Sequence, residues 1–131
     1  MNFSNIPWSI KKIVSMRDAI DPKPQYQRGP VGHTPKKQLL IDSIINRFDI
    51  PKIYLNRVKG AGPYDYEVAD GQQRLTAIWD FVDTVYALGN VRDDNKRWSG
   101  RIYSELNQSQ RNHILSYKII ITTVHGATND E

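Results

Sequence analysis

Cysteine is missing from all 131 residues, which excludes disulfides, thiolate metal sites and a cysteine nucleophile. Apolar residues never run on for the roughly 20 positions that a helix needs to cross a bilayer, so no membrane partner is expected. No basic, then apolar, then small-residue pattern opens the chain, which leaves the cytoplasm as the default location. Histidine is scarce, and His33, His113 and His125 stand too far apart to suggest a metal cluster. Neither a zinc spacing nor an EF-hand loop can be read, and no protein-only metal site is expected. Internal repeats and low-complexity tracts are also lacking.

What remains is the make-up of one ordinary domain spanning residues 1–131. It is 39% hydrophobic and 24% charged, and a chain of this length hides roughly 70% of its unfolded surface. The net charge of +4 and pI of about 9.4 permit contact with phosphates but do not by themselves establish nucleic-acid binding.

After an irregular start, "SIKKIVSM" puts Ile10, Ile13 and Val14 on one face of a short helix with Ser9 as its N-cap. "DPKPQYQRGPVGHTP" is loop with part of a strand, because each proline biases its predecessor away from helix. Thr34 and Pro35 read as N-cap and first helical position, followed by Leu40, Ile41, Ile44, Ile45 and Phe48 at helical spacing. Pro51 stops that helix, and Ile53 to Val58 and "YDYEVAD" form a hairpin across the turn "KGAGPYD". From Gln72 the period changes from two to 3.6. Leu75, Ile78, Trp79 and Val82 share a face that Val85 and Tyr86 continue, which predicts a helix over residues 72–88 with Gly89 as its stop. "LNQSQRNHILSY" carries a capping-box pattern in Asn107 and Gln110, and "KIIITTV" is the last strand.

The chemistry concentrates where strand meets helix, at Asp70-Gly71-Gln72-Gln73-Arg74. The first turn of a helix has backbone N–H groups without internal partners, and the helix dipole adds roughly half a positive charge there. Gly71 permits a sharp bend and a close approach. Arg74 adds a planar, permanently charged fork, and Gln72 and Gln73 add amide donors. The stretch is built like a phosphate cradle, except that the Asp70 carboxylate would repel a phosphate. Three roles are open to Asp70: capping the helix near Gln73, orienting Arg74 by pairing with it, or helping to hold Mg2+ brought by a nucleotide. The plain alternative makes Asp70 only a cap and Arg74 only a surface charge.

A second polar cluster, Gln25, Gln27 and Arg28 in "PQYQRGP", repeats the amide and guanidinium chemistry, although an ordinary loop would look similar. Lys36, Lys37 and Arg47 invite a DNA-recognition reading of their helix, but its apolar residues favour a core helix. "DDNKRWSGR" sets Lys96, Arg97 and Arg101 around Trp98, where a base could stack, though a solvated loop is the plainer reading. Asp93 and Asp94 have no recognisable third metal ligand, and Trp79 belongs to the core. Tyr64 and Tyr66 read as strand residues, with one of them available to line a base pocket.

Taken in order, "PKPQYQRGPV", "KKQLLIDSIINRFDIPKIYL" and "YEVADGQQRLTAIWDF" closely resemble the N-terminal domain family of GmrSD-type restriction endonucleases, within the ParB/sulfiredoxin-like superfamily. The likeness runs from about Trp8 to about Val124. It implies an α/β (α+β) fold, a small mixed sheet with packed helices, whose strand-to-helix elbow binds nucleotide phosphates. Relatives use ATP, CTP or GTP, and in this group the domain is associated with nucleotide hydrolysis that controls cleavage of modified invading DNA. The matches carried over are Asp70, Gly71, Gln72, Gln73 and Arg74, with Gln27 and Arg28 as partners across the pocket and Tyr26 packed beside them.

Two departures stand out. Relatives present an aromatic residue after Arg-Gly-Pro-Val where this chain has Gly32, so a base-stacking or lid role there is unsupported. Cleaving relatives continue past the last strand into further helices and a His-Asn-His nuclease domain, whereas this sequence stops at Glu131. The expectation is a domain truncated at its C-terminus that does not cut DNA alone and whose partners include a nuclease domain or subunit absent from this chain. The expected activity is binding of a nucleoside triphosphate (ATP, GTP or CTP) together with Mg2+, with Gly71, Gln73, Gln27 and Arg28 holding it. Gln72, Arg74 and Asp70 are the catalytic candidates. The alternative is a DNA-binding or protein-interaction module that uses the same basic pocket for a phosphate.

Overall fold

The computed structural model describes residues 2–22, 34–58, 60, 62–90 and 98–125. Five strands, β1 (Asn2–Ser9), β2 (Ile20–Asp21), β3 (Ile53–Arg57), β4 (Tyr66–Asp70) and β5 (Lys118–His125), form one sheet in the order β1-β5-β3-β4-β2. The β1–β5 and β3–β4 pairs are antiparallel and the β3–β5 and β2–β4 pairs parallel. The sheet is therefore mixed, and with helices α1 (Ile10–Ser15), α2 (Thr34–Ile45), α3 (Gln72–Val82) and α4 (Gln108–Leu115) it makes the α/β fold that the family resemblance implies.

Side chains alternate across a strand, and this places Ile53, Leu55, Val68, Ile119 and Ile121 in the core, while Tyr54 and Ile120 stay partly exposed. The helices bring Ile10, Ile13, Ile41, Ile44, Ile45, Leu75, Ile78, Phe81 and Ile114 into the same cluster. Each such side chain contributes about 1.5–3 kcal/mol when fully buried. Trp79 joins them, and its ring N–H donates to the Ile13 carbonyl at 3.2 Å.

Several elements follow their local signals. The Ser9 hydroxyl caps α1 by accepting from the Lys12 amide at 3.1 Å. The β3–β4 hairpin forms as expected, with a register shift between Tyr54 and Leu55.

Other expectations are corrected. The irregular start is a strand, β1, paired along its length with β5; Pro7 and Asn5 obscure its alternation, and an edge strand tolerates proline because one row of its backbone groups needs no ladder partner. Thr34 is the first residue of α2 rather than a residue before it, so the cap position falls outside the described residues. That helix ends at Ile45, ahead of Pro51, and Arg47 takes a left-handed φ of 61°. Phe48 consequently leaves the apolar face and is 47% exposed. Helix α3 stops at Val82, because Thr84 reverses the chain at φ 64°. Val85 is thereby exposed, while Tyr86 returns to the core with its hydroxyl donating to the Ala77 carbonyl at 2.7 Å. Trp98 neither awaits a base nor lies in solvent. It is buried against the His113 ring, at 5.7 Å between centroids.

Candidate functional site

Strand β4 delivers the chain to Gly71, whose φ of 106° is open to glycine and strained for other residues. A Cβ at this position would meet Ile53 Cγ1 at 3.0 Å, Ile53 Cγ2 at 3.2 Å and Arg74 Nη2 at 3.3 Å. The bend is thus packed directly onto the first residue of β3 and beneath the guanidinium that follows it. Gly71, not Asp70, is the N-cap of α3, and no side chain closes the cap. The first turn contains no acidic residue. Its outward N–H groups and the positive end of the dipole suit an anion.

Arg74 curls back over this bend. Its Nη2 donates to the Lys52 carbonyl at 2.8 Å and lies 3.7 Å from Asp70 Oδ2. Its Nε is shielded from solvent and has no hydrogen-bond partner among the described residues. Of the three roles open to Asp70, capping is therefore ruled out and pairing with Arg74 is formed. The Asp70 side chain is 69% exposed, so that pair is a loose surface contact that a competing charge can displace. A carbonyl latch on one side and a weak carboxylate on the other hold a positive fork beside an uncapped helix start.

Arg74 also faces a cavity. With Gln73 and Ala77 from α3 and Lys36, Lys37, Leu39, Leu40 and Ser43 from α2, it lines a groove of about 250 Å³. Lys37 is held by Asp80 at 3.1 Å, and Gln38 donates to the Ala87 carbonyl at 2.9 Å. These contacts set the start of α2 beside the end of α3, so Ser43 falls toward the elbow and Lys36 toward the far end of the groove. Lys36 forms no ion pair among the described residues.

Asp70, Gly71, Gln73 and Arg74 are thus together, with Gln72 opening the helix beside them. Gln27 and Arg28 lie outside the described residues, as do Gln25, Tyr26, Gly32, Asp93, Asp94, Lys96 and Arg97. Tyr66 is packed edge-on against Trp8 at 5.9 Å and Tyr64 is partly exposed; neither lines the groove. Among the described residues no group of three His, Asp or Glu side chains could hold a metal, and no helix is long and apolar enough to cross a membrane. Sequence reasoning missed the α2 wall of the groove. Its one signal was Leu39, an apolar residue off the stripe that starts at Leu40.

The chain matches the family described as GmrSD restriction endonuclease, N-terminal domain, over residues 10–129. No curated protein and no solved structure matches it. Since the match spans most of the sequence, the chain belongs to this family, which is named for a DNA-restriction system.

Proposed function

We propose that this domain binds a nucleoside triphosphate at the elbow and hydrolyses it slowly, or uses its occupancy as a switch, within a DNA-restriction or phage-defence system. The observation that carries this reading is the open start of α3, with Gly71 in a left-handed bend, no capping side chain and Arg74 latched alongside. The backbone at Gly71 and the first turn would hold phosphate, and Arg74 would neutralise it. Gln73, on the groove side, would donate to a phosphate oxygen, and Gln72 would position water or another oxygen. Gln27 and Arg28 complete the proposed set.

The donor set fits phosphates better than a free cation. Mg2+ would arrive with the phosphates, neutralising their charge, and Asp70 is the carboxylate within reach of it. Family membership supports the restriction setting.

The test is titration of ATP, GTP and CTP with Mg2+ against the wild type and Arg74→Ala. Loss of one charge-assisted contact should weaken binding about 10- to 100-fold. Binding of none of the three, or equal binding by the variant, overturns the reading.

A second reading, a module that docks a nucleic-acid backbone without turnover, has its own observation. Strand register brings Lys118 at the start of β5 to the same end of the sheet as Ile53 and Asp70. There Lys118 and Lys11 line a separate cleft of about 370 Å³ with Ser9, Asn112 and Ser116. Salt-dependent binding of duplex DNA in the absence of nucleotide would favour it.

A further inference from the structure

The sheet has two outer edges, and they are finished differently. Strand β2 is two residues long, carries the Asp21 carboxylate and runs at once into Pro22, all features that blunt an edge against pairing with another chain. Strand β1, at the other end of the order β1-β5-β3-β4-β2, has eight residues, Asn2–Ser9, none of them charged. Its pairing with β5 runs from Asn2↔His125 to Ser9↔Lys118 without a register shift, so no bulge twists its outer side away. Pro7 is its one protective residue, and it lies toward one end.

Two exposed side chains mark what this edge lacks. Phe3 is 63% and Ile6 50% exposed. Side chains alternate across a strand, and Trp8, on the same face as Ile6, is part of the core. Ile6 therefore flanks the helix-covered face and Phe3 the opposite one. A body lying on either face could cover one of them, whereas a strand laid along the edge covers both.

We infer that β1 pairs with β1 of a second copy of this chain, antiparallel about a two-fold axis at Asn5, joining two five-stranded sheets into one. A second copy suits this edge because nothing in it repels itself. Residues that meet across the axis come from the same strand, so a lysine or aspartate there would face its own charge. Asn5 instead faces an amide, which both donates and accepts, and its Oδ1 is already held by the Thr122 hydroxyl at 2.6 Å, which orients the group. In this register Phe3 lies opposite the partner's Pro7 and Ile6 opposite the partner's Ser4. Pro7 costs the new ladder one donor at each end, but its ring gives Phe3 an apolar surface.

The area sets the strength. An overlap from Asn2 to Trp8 is about 24 Å long and ~10 Å deep, a footprint of roughly 240 Å² on each copy, well under the ~800 Å² per partner of a standard stable interface. The dimer is accordingly weak, reversible and dependent on protein concentration. It leaves the elbow free, since β5 and β3 separate β1 from β4.

The test is sedimentation velocity of the full chain from about 5 to about 500 µM, a range that spans weak association, with Phe3→Lys and Ile6→Lys beside the wild type. Both side chains are at least half exposed, so the thermal midpoints of the variants should stay near that of the wild type. The wild type should shift from monomer to dimer across the range, and each variant should self-associate at least tenfold more weakly. Because the chain has no cysteine, single cysteines report proximity cleanly. Asn5→Cys should crosslink to its own copy on mild oxidation, since residues paired across antiparallel strands have Cα atoms about 4.5–5.5 Å apart, within disulfide range. Val85→Cys, 65% exposed on the chain reversal after α3, should not. A wild type that stays monomeric throughout leaves the edge to a strand of some other protein and overturns the proposal. So does a loss confined to Phe3→Lys, which would place the contact on the open face of the sheet, or crosslinking of Asn5→Cys no faster than that of Val85→Cys.

Discussion

Helices α3 and α4 begin in opposite ways. At α4 the Asn107 side chain accepts from the Gln110 amide at 2.8 Å, and the Gln110 side chain accepts from the Asn107 amide at 2.9 Å. Two of the donors at that helix start are thus closed by the helix's own sequence. At α3 the cap is Gly71, which has no side chain to offer, and the residue before it turns its carboxylate toward Arg74. A protein able to write a full capping box at one helix leaves another open, where the charge environment is positive and a groove adjoins it. Stability alone does not call for that difference; the phosphate ligand proposed above would account for it.

The comparison is broken most forcefully at Gly71. Gly71→Ala forces a Cβ into the 3.0 Å gap to Ile53 and beneath Arg74 Nη2, at a φ of 106° that alanine rarely adopts. The expected cost is about 1–3 kcal/mol of stability. Because the same Cβ displaces Arg74, nucleotide binding should fall further than the loss of stability explains. Thermal unfolding with and without Mg2+-ATP separates the two: the variant should have a lower midpoint and little stabilisation by nucleotide. A variant as stable and as responsive as the wild type would mean that the bend has no special role.

How much of this was legible in the sequence follows the range of the interactions. The α4 capping box and the Ser9 cap are contacts over three residues, and both could be read directly. The change of period at Gln72 located the elbow, since Val68 and Leu75, on either side of it, are both core residues. Strand β1 escaped notice because its partner is β5, at the other end of the chain, and Pro7 weakens its local pattern. The end of α3 was read too late, because Tyr86 is buried as a helical continuation would be, yet reaches the core after a reversal at Thr84. Trp98, among polar and basic neighbours, reads as part of a solvated loop or else as a stacking ring; only the fold reveals that it is buried against His113. At the site, the motif told which residues gather, but the Lys52 carbonyl that anchors Arg74 and the α2 wall of the groove come from distant segments that no local pattern records.

A smaller effect sharpens the contrast from the other side. Asn107→Ala removes the closed cap of α4 and should cost about 1 kcal/mol, within the usual range for an N-cap. Unlike Gly71→Ala, it should leave nucleotide affinity unchanged at temperatures where the protein is folded. Denaturant unfolding measures the first quantity and isothermal titration the second. If affinity fell in proportion to stability in both variants, the elbow would be responding to the fold as a whole, and the distinction between a closed and an open helix start would lose its meaning.

The smallest change addresses Asp70, the one residue at the elbow whose charge opposes a phosphate. Its contact with Arg74 is 3.7 Å long and largely exposed, and pairs of that kind contribute about 0–1 kcal/mol, so Asp70→Asn should barely move the unfolding midpoint. Binding separates its two remaining roles. If Asp70 only steadies Arg74, the Lys52 carbonyl still holds the guanidinium after the substitution, and removing a negative charge should tighten binding a few-fold both with and without Mg2+. If Asp70 helps to hold Mg2+ on the phosphates, binding without metal should still tighten, but the gain that Mg2+ gives the wild type should shrink or reverse. Titrating nucleotide into both proteins with Mg2+ and then with chelator distinguishes these outcomes. The carboxylate matters at the elbow only in the second case; in the first, Asp70 is a loose brace on a cationic fork that the backbone already anchors.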